Sequence, residues 1–203
     1  WARRCVYEPV AGGSSDAAAV LWGLNQMYGL GLSRKELMER GVRLGADVPY
    51  CVLRGTALAE GIGEKLKVLP PMPKCYILIA KPGINVSTRF VYENLHANDL
   101  RPEQHPDVDA VIGDIRDGDL AGLCAHMGNV LEKVTVPAHP VIDRIKKYMI
   151  KGGALGAMMS GSGPSVFGIF DTQGKARKAY RAVKAARLAK QVYLTVPYNV
   201  RRQ

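Results

Sequence analysis

The sequence predicts an α+β fold in two units, on three observations. Segments with helical spacing are mixed with short apolar runs that read as strands, and the links between them are short. The mixture lacks the regular beat of about 30 residues that a repeated βαβ architecture keeps. One break, Pro70-Pro71-Met72-Pro73, ends everything before it, and Cys75–Ala80 then restarts as a buried strand. The expected units are 1–73 and 74–203.

In chain order, a glycine-rich turn at Ala11–Gly13 leads through Ser14-Ser15-Asp16 into a helix at Ala17–Tyr28. Ala17, Leu21, Leu24 and Tyr28 repeat there at helical spacing until Gly29 stops it. Ser33-Arg34-Lys35-Glu36 is a capping box, so a second helix starts at Ser33 and ends near Gly41–Gly45. Tyr50–Leu53 reads as a short strand, with tight turns at Gly55, Gly61 and Gly63. Beyond the prolines, helices are expected at Ser87–Leu95, Asp107–Ile115, Leu120–Met127, Pro140–Ile150 and Gln173–Lys190. Strands are expected at Ala154–Met159, Ser165–Phe170 and Gln191–Val196.

The chain has 203 residues, 47% hydrophobic and 23% charged, which excludes disorder, collagen and simple repeats. No apolar run approaches the ~20 residues of a membrane-spanning helix. Cys5, Cys51, Cys75 and Cys124 lie too far apart for CxxC pairs, so reduced thiols in a cytoplasm are expected. Trp1–Val10 has neither a signal peptide's apolar stretch nor an initiating methionine, and the chain reads as part of something longer. The net charge is +10, but Thr172–Gln203 holds nine lysines and arginines and no acid. On a helix there, Arg177, Arg181 and Lys184 share one face while Ala176, Ala179, Tyr180 and Val183 share another. That pattern fits a solvated outer face. A non-catalytic module binding nucleic acid or a partner stays open beside it, although no interleaved aromatics suggest base stacking.

Three segments carry chemistry. In Ala11-Gly12-Gly13-Ser14-Ser15-Asp16-Ala17-Ala18-Ala19, glycines let the backbone approach an anion, and the following helix aims unpaired N–H groups and its positive dipole end at it. The Ser14 and Ser15 hydroxyls can add hydrogen bonds or touch a phosphate-bound metal. The same residues also fit an ordinary helix start with Ser14 or Asp16 as N-cap. Neither GxxxxGK[ST] nor GxGxxG is present. In Leu44-Gly45-Ala46-Asp47-Val48-Pro49-Tyr50, a stiffly held Asp47 can serve as general base to a hydroxyl, or can simply form a turn. In Met159-Ser160-Gly161-Ser162-Gly163-Pro164-Ser165, alternating glycines and serines make a loop whose N–H groups can converge on an anion, or a plain hairpin loop. His96, His105, His126 and His139 show no metal-ligand spacing and read as surface or capping residues.

AGGSSDAAA, LGADVPY and MSGSGPSVFGIF, in this order, resemble the second motif, the aspartate loop and the third motif of the GHMP kinases. The resemblance covers nearly everything from Pro9 onward. AGGSSDAAAVLWGLN, LSRKELMERGVRLGADVPYCV, GTALAEGIGEKL and KPGINVSTRFVYENL are most similar to a branch of that family acting in non-mevalonate isoprenoid biosynthesis. The resemblance implies the GHMP kinase fold: part of an N-terminal ATP-binding domain resembling a ribosomal protein, then a ferredoxin-like C-terminal α/β sandwich. It also implies an ATP-dependent phosphotransferase acting on a small-molecule hydroxyl, with Mg2+ accompanying the nucleotide. Carried over by motif, Ala11, Gly12, Gly13, Ser14 and Ser15 would hold the ATP phosphates, with Gly161, Ser162 and Gly163 shaping a loop beside them. Asp47 falls at the catalytic aspartate. Another GHMP kinase with a different acceptor stays open. Asn129, before Val130-Leu131-Glu132, resembles a recurring family segment without a chemical role.

Two departures stand out. Nothing before Pro9 matches the family's first strands, which carry a catalytic lysine, and Pro9-Val10 runs straight into Ala11 where the family has a further glycine. The chain thus reads as the larger C-terminal part of a kinase, expected to expose apolar surface in the first unit, to fold mainly from Cys75 onward and to have reduced or no activity alone.

Overall fold

The structure, a computed structural model, describes residues 12–96 and 100–199. They fall into two compact units, one running to Met72 and taking in Tyr198 and Asn199, the other Pro73–Pro197.

The first unit holds α1 (Gly12–Met27), α2 (Arg34–Val42), α3 (Val48–Leu53) and the antiparallel hairpin β1 (Ala57–Glu60) and β2 (Lys65–Val68). Its small core is Ala18, Leu37, Val48 and Val52, flanked by Ala17, Leu21 and Trp22. Helix α1 starts at Gly12, so the expected loop is already the first helical turn, and Ser14 and Asp16 sit inside the helix rather than capping it. The turn is helical despite the poor helix propensity of its two glycines, and the Ser15 hydroxyl bonds the Gly12 carbonyl within it. Leu24 and Tyr28 keep helical spacing but are exposed, as are Val20 and Met27, leaving the apolar surface expected of this unit. Asn25 ties α1 to the chain before α2: its Nδ2 donates to the Leu32 carbonyl and its Oδ1 accepts from the Leu32 N–H, each at 2.9 Å. The capping box is present, with Ser33 Oγ accepting from the Glu36 N–H at 3.3 Å and Glu36 Oε2 accepting from the Ser33 N–H at 2.8 Å. These bonds hold the Glu36 carboxyl below its ordinary pKa.

Residues 50–53 are helical, not the strand their apolar run suggested. Pro49 in the first turn of α3 has its φ pre-set for a helix, and Val48 and Val52, one turn apart, are both 1% exposed. Gly41 of α2 makes room for this packing, since a Cβ there would lie 2.9 Å from Val48 Cγ1.

The second unit is built on one antiparallel sheet with the order β4-β5-β3-β6: β3 (Tyr76–Lys81), β4 (Gly156–Met159), β5 (Val166–Phe170) and β6 (Gln191–Thr195). Helices α8 (Val141–Lys151) and α9 (Gln173–Ala185) pack on it and on each other. This is the expected ferredoxin-like α/β sandwich, with Leu78, Ala80, Ile142, Ile145, Met149, Phe170, Ala179 and Val183 in its core. The two helices approach closely at Gly152, where a Cβ would fall 2.5 Å from Ala179 Cβ. Helix α9 stops before the expected Lys190: Arg187 turns to φ 52° and the Lys190 N–H pairs with the Lys81 carbonyl to start β6.

Between β3 and α8 lie α4 (Thr88–Asn94), α5 (Val108–Asp117), α6 (Leu120–His126) and α7 (Glu132–Ala138), the last not anticipated from sequence. Ser87, Asp107 and Asp119 cap α4, α5 and α6. His126 Nδ1 meets Asp114 Oδ2 at 2.8 Å, linking α6 to α5, and that hydrogen bond raises the imidazole pKa above its ordinary value. A raised folded-state pKa contributes stability below the unfolded value of about 6.5, and the contribution is lost as pH rises through the folded value. An NMR titration of the His126 ring is expected to give a midpoint above about 6.5, falling back toward it in Asp114→Asn. Equal midpoints in the two proteins would refute the pairing. Cys51, Cys75 and Cys124 are free thiols; burial pushes Cys124 up to about 11.

Candidate active site

In the first unit, the N-terminal turn of α1 presents Gly12, Gly13, Ser14 and Ser15; Ala11 lies outside the described residues. Backbone N–H groups in this turn have no intrahelical acceptor, and the helix dipole adds positive potential there. A Cβ on exposed Gly13 would meet nothing within 4 Å, so this position is open to a ligand. The two serines divide roles. Ser15 Oγ donates to the Gly12 carbonyl at 2.9 Å, which fastens the turn, while half-buried Ser14 has no side-chain hydrogen bond among the described residues.

Asp47 occupies the N-cap position of α3, with φ −84° and ψ −11°, but its side chain makes no capping bond. Nor does the carboxylate form an ion pair among the described residues, while the residue itself stands in a turn before α3, as the turn-forming reading expected. Its backbone is held firmly. Val48 and Pro49 behind it are buried, the Val48 N–H bonds the Gly45 carbonyl, and the Cys51 N–H bonds the Asp47 carbonyl. Gly63, at φ 114° in the β1–β2 turn, comes close enough that a Cβ would lie 3.5 Å from the Ala46 carbonyl oxygen and 3.9 Å from Asp47 Oδ1. One turn along α3, burial raises the Cys51 thiol pKa and the Asp47 charge adds to it. An exposed, unpaired carboxylate on a fixed backbone can accept a proton from a hydroxyl brought to it. Asp47 and the α1 turn belong to one unit, and α1 and α3 share its core.

Gly161, Ser162 and Gly163 belong to the second unit, in the loop joining β4 to β5. It is a hairpin loop, closed by Ser160 N–H to the Ser165 carbonyl at 2.8 Å and Gly163 N–H to the Ser160 carbonyl at 3.0 Å. Gly161 and Gly163 have φ of 55° and 90°, a region where a side chain is strained. Unlike a plain hairpin it is gripped from two helices. Ser162 Oγ and Thr88 Oγ1 of α4 are 2.9 Å apart, and Thr135 Oγ1 of α7 donates to the Ser162 carbonyl at 3.2 Å. Asn129 Nδ2 donates to the carbonyls of Met159 and Gly161 at 2.9 and 2.8 Å. Glu132 accepts from the Met159 N–H at 2.7 Å and pairs with Lys146 of α8. Of these supports Asn129, Glu132 and Thr88 lie in segments marked by resemblance in the sequence, without a role, while Thr135 lies in a segment with no motif of its own.

The basic face of α9 differs from its sequence pattern in one respect. Arg177 and Arg181 do flank aromatic rings, because Tyr180 and, from β6, Tyr193 line the same open groove of about 470 Å³. Among the described residues no group of three or more His, Cys, Asp or Glu is arranged to hold a metal ion, and no helix is long and apolar enough to cross a membrane.

Residues 10–55 match the profile of the GHMP kinases N terminal domain, and residues 94–189 that of the GHMP kinases C terminal. The chain is 55% identical over 190 residues to 4-diphosphocytidyl-2-C-methyl-D-erythritol kinase of Lachnospira eligens, covering 94% of this chain and 65% of the relative. Against the protein of that name from Lachnoclostridium phytofermentans the figures are 52% over 186 residues, 92% and 63%. The chain thus spans somewhat less than two thirds of the length of these curated relatives. A crystal structure of 4-(cytidine 5'-diphospho)-2C-methyl-D-erythritol kinase superposes with a TM-score of 0.77 at 31% identity, over 93% of this chain and 66% of that one. Homoserine kinase from Cytophaga hutchinsonii, also at a TM-score of 0.77 but 23% identical, covers 95% of this chain and 68% of its own and shares the fold. With both domain profiles matched in order and the sandwich they imply in place, the chain belongs to the GHMP kinase family.

Proposed function

We propose that this chain carries the phosphate-gripping segments and the catalytic aspartate of an ATP-dependent kinase. Its acceptor would be the 2-hydroxyl of 4-diphosphocytidyl-2-C-methyl-D-erythritol, in non-mevalonate isoprenoid biosynthesis. The observation that carries the reading is Asp47, an exposed carboxylate with a rigid backbone and no partner of its own among the described residues. The names of relatives 45–55% identical support the choice of acceptor. In this reading residues 1–73 belong to the ATP-binding domain and 74–203 to the C-terminal domain.

Phosphoryl transfer is chiefly positioning and charge stabilisation, and the groups present suit both. The N–H groups at the start of α1 would bind phosphate oxygens with Ser14 Oγ adding a hydrogen bond, and the Gly161–Gly163 loop would supply a second clamp. Asp47 takes the proton from the acceptor hydroxyl as its oxygen bonds to the γ-phosphorus; the bond from that phosphorus to the bridging oxygen breaks and ADP leaves. Magnesium is suited by the phosphates themselves and by the Ser14 hydroxyl, because Mg2+ keeps several waters and needs few protein ligands. When bound, it supplies neutralising charge to the phosphates. The partners are therefore ATP and one small molecule, and consumption of ATP points to the bacterial cytoplasm.

The test is transfer of phosphate from ATP to 4-diphosphocytidyl-2-C-methyl-D-erythritol, with homoserine and mevalonate as competing acceptors. It is run on this chain and on the chain extended by the N-terminal segment of the Lachnospira eligens relative. Little turnover alone and strong turnover of the cytidylyl acceptor in the extended protein is the expected result. Preference for another acceptor, or inactivity of both proteins, would overturn the proposal.

A further inference from the structure

We infer that Asn129 is a positioning residue that aims the Ser162 N–H outward as an anion donor, an inference that rests on the reading of the Gly161–Gly163 loop as a phosphate clamp. Both hydrogens of Asn129 Nδ2 are committed, one to the Met159 carbonyl at 2.9 Å and one to the Gly161 carbonyl at 2.8 Å. The orientation of the amide is set by its other end, since Oδ1 accepts from the Leu131 N–H at 3.0 Å and could not do so if flipped.

The carbonyl of Gly161 and the N–H of Ser162 belong to one peptide group, and in a trans peptide they point in opposite directions. Drawing the Gly161 oxygen toward Asn129 therefore turns the Ser162 N–H away from it. Neither that N–H nor the Gly161 N–H makes a hydrogen bond among the described residues, whereas those of Ser160 and Gly163 are both consumed in closing the loop. Thr135, 1% exposed, holds the next carbonyl, that of Ser162. Two consecutive carbonyls are thus tied to the 129–135 segment, and the Ser162 N–H is directed away from the first of them as a donor beside that of Gly161. Gly161, at φ 55° and with nothing within 4 Å of a would-be Cβ, supplies the left-handed turn this needs on an open side.

Asn129→Asp separates positioning from packing. The carboxylate keeps the acceptor for the Leu131 N–H and the same volume, but sets an acceptor against two carbonyls in place of the donor. Thr135→Val, which keeps the buried shape and removes one hydrogen bond, is the milder second variant. The experiment follows the 15N–1H resonance of Ser162 while ATP and Mg2+ are added to the full chain. It also records amide exchange at Ser160 and Gly163 and the thermal midpoint. The expected result is a large Ser162 shift in the parent and at least tenfold weaker ATP binding in Asn129→Asp. Exchange at Gly163 should quicken and the midpoint should move by little; Thr135→Val should weaken binding by a smaller factor in the same direction.

If the parent shows the Ser162 shift and both variants bind ATP equally well, the inference is overturned while the kinase reading stands. It is overturned in the same way if Asn129→Asp lowers only the midpoint and leaves loop exchange and affinity alone. If ATP leaves the parent's Ser162 resonance in place, the clamp reading fails and the inference falls with it.

Discussion

Replacing Asp47 with asparagine is expected to lower kcat for phosphoryl transfer by about 10²- to 10⁴-fold, the usual contribution of a positioned general base. The substitution keeps size and hydrogen-bonding reach and removes only the ability to take the proton. Since the carboxylate caps nothing and pairs with nothing among the described residues, folding stability should be unchanged. KM for both substrates should also stay within a few-fold, because in the proposed reading the phosphates are held by other residues. Steady-state kinetics on the N-terminally extended protein, with a melting curve of each variant, check this. A variant with undiminished kcat would mean that the loose transition state of phosphoryl transfer needs no base here, and Asp47 would lose its assignment.

Phe170→Ala should be the most damaging single change to the fold, at about 3–5 kcal/mol. Phe170 is fully buried at the end of β5, faces Tyr76 across the β3–β5 ladder and joins the core that α8 and α9 cover. Removing the ring deletes apolar contact and leaves a cavity that two packed helices cannot close. The loss should be confined to the second unit, since the cluster of Ala18, Leu37, Val48 and Val52 shares no residue with it. Urea unfolding monitored by amide exchange in β3 and β5, with α1–α3 as internal reference, is the measurement. A loss below about 1 kcal/mol would show that the core collapses around the gap, and parallel loss in α1–α3 would show the two clusters to be coupled.

What can be read from sequence follows from how local each signal is. The Ser33–Glu36 capping box is legible because all its atoms lie within four residues, and so is the β1–β2 turn, marked by Gly61 and Gly63. The three segments to which we assign anion or proton handling are legible as motifs. Tyr50–Leu53 misleads because four apolar residues fit either period, and the deciding contact, Val48 and Val52 against Leu37, is tertiary. The first turn of α1 misleads because glycines suggest a loop, while the helix runs through them to Gly12. Helix α7 and the hold of Thr135 on the Ser162 carbonyl leave no local trace, and Asn129, though it stands in a segment that resembles the family's, gives no local sign of the two carbonyls it binds about 30 positions away.

The sheet order of the second unit also has a consequence for synthesis. Strand β3 is the first strand of that unit made, yet its two neighbours, β5 and β6, begin at Val166 and Gln191. At the ~5–20 residues per second of a ribosome, β3 waits on the order of 10 s with both edges unpaired. It is an apolar stretch, Tyr76–Lys81 with Ile77, Leu78 and Ile79 in succession, and so a template for pairing with another nascent chain during that interval. The last strand made completes the pairing of the first, so ribosomal speed over the stretch from Pro82 to Thr195 sets how long the unit remains vulnerable to misassembly.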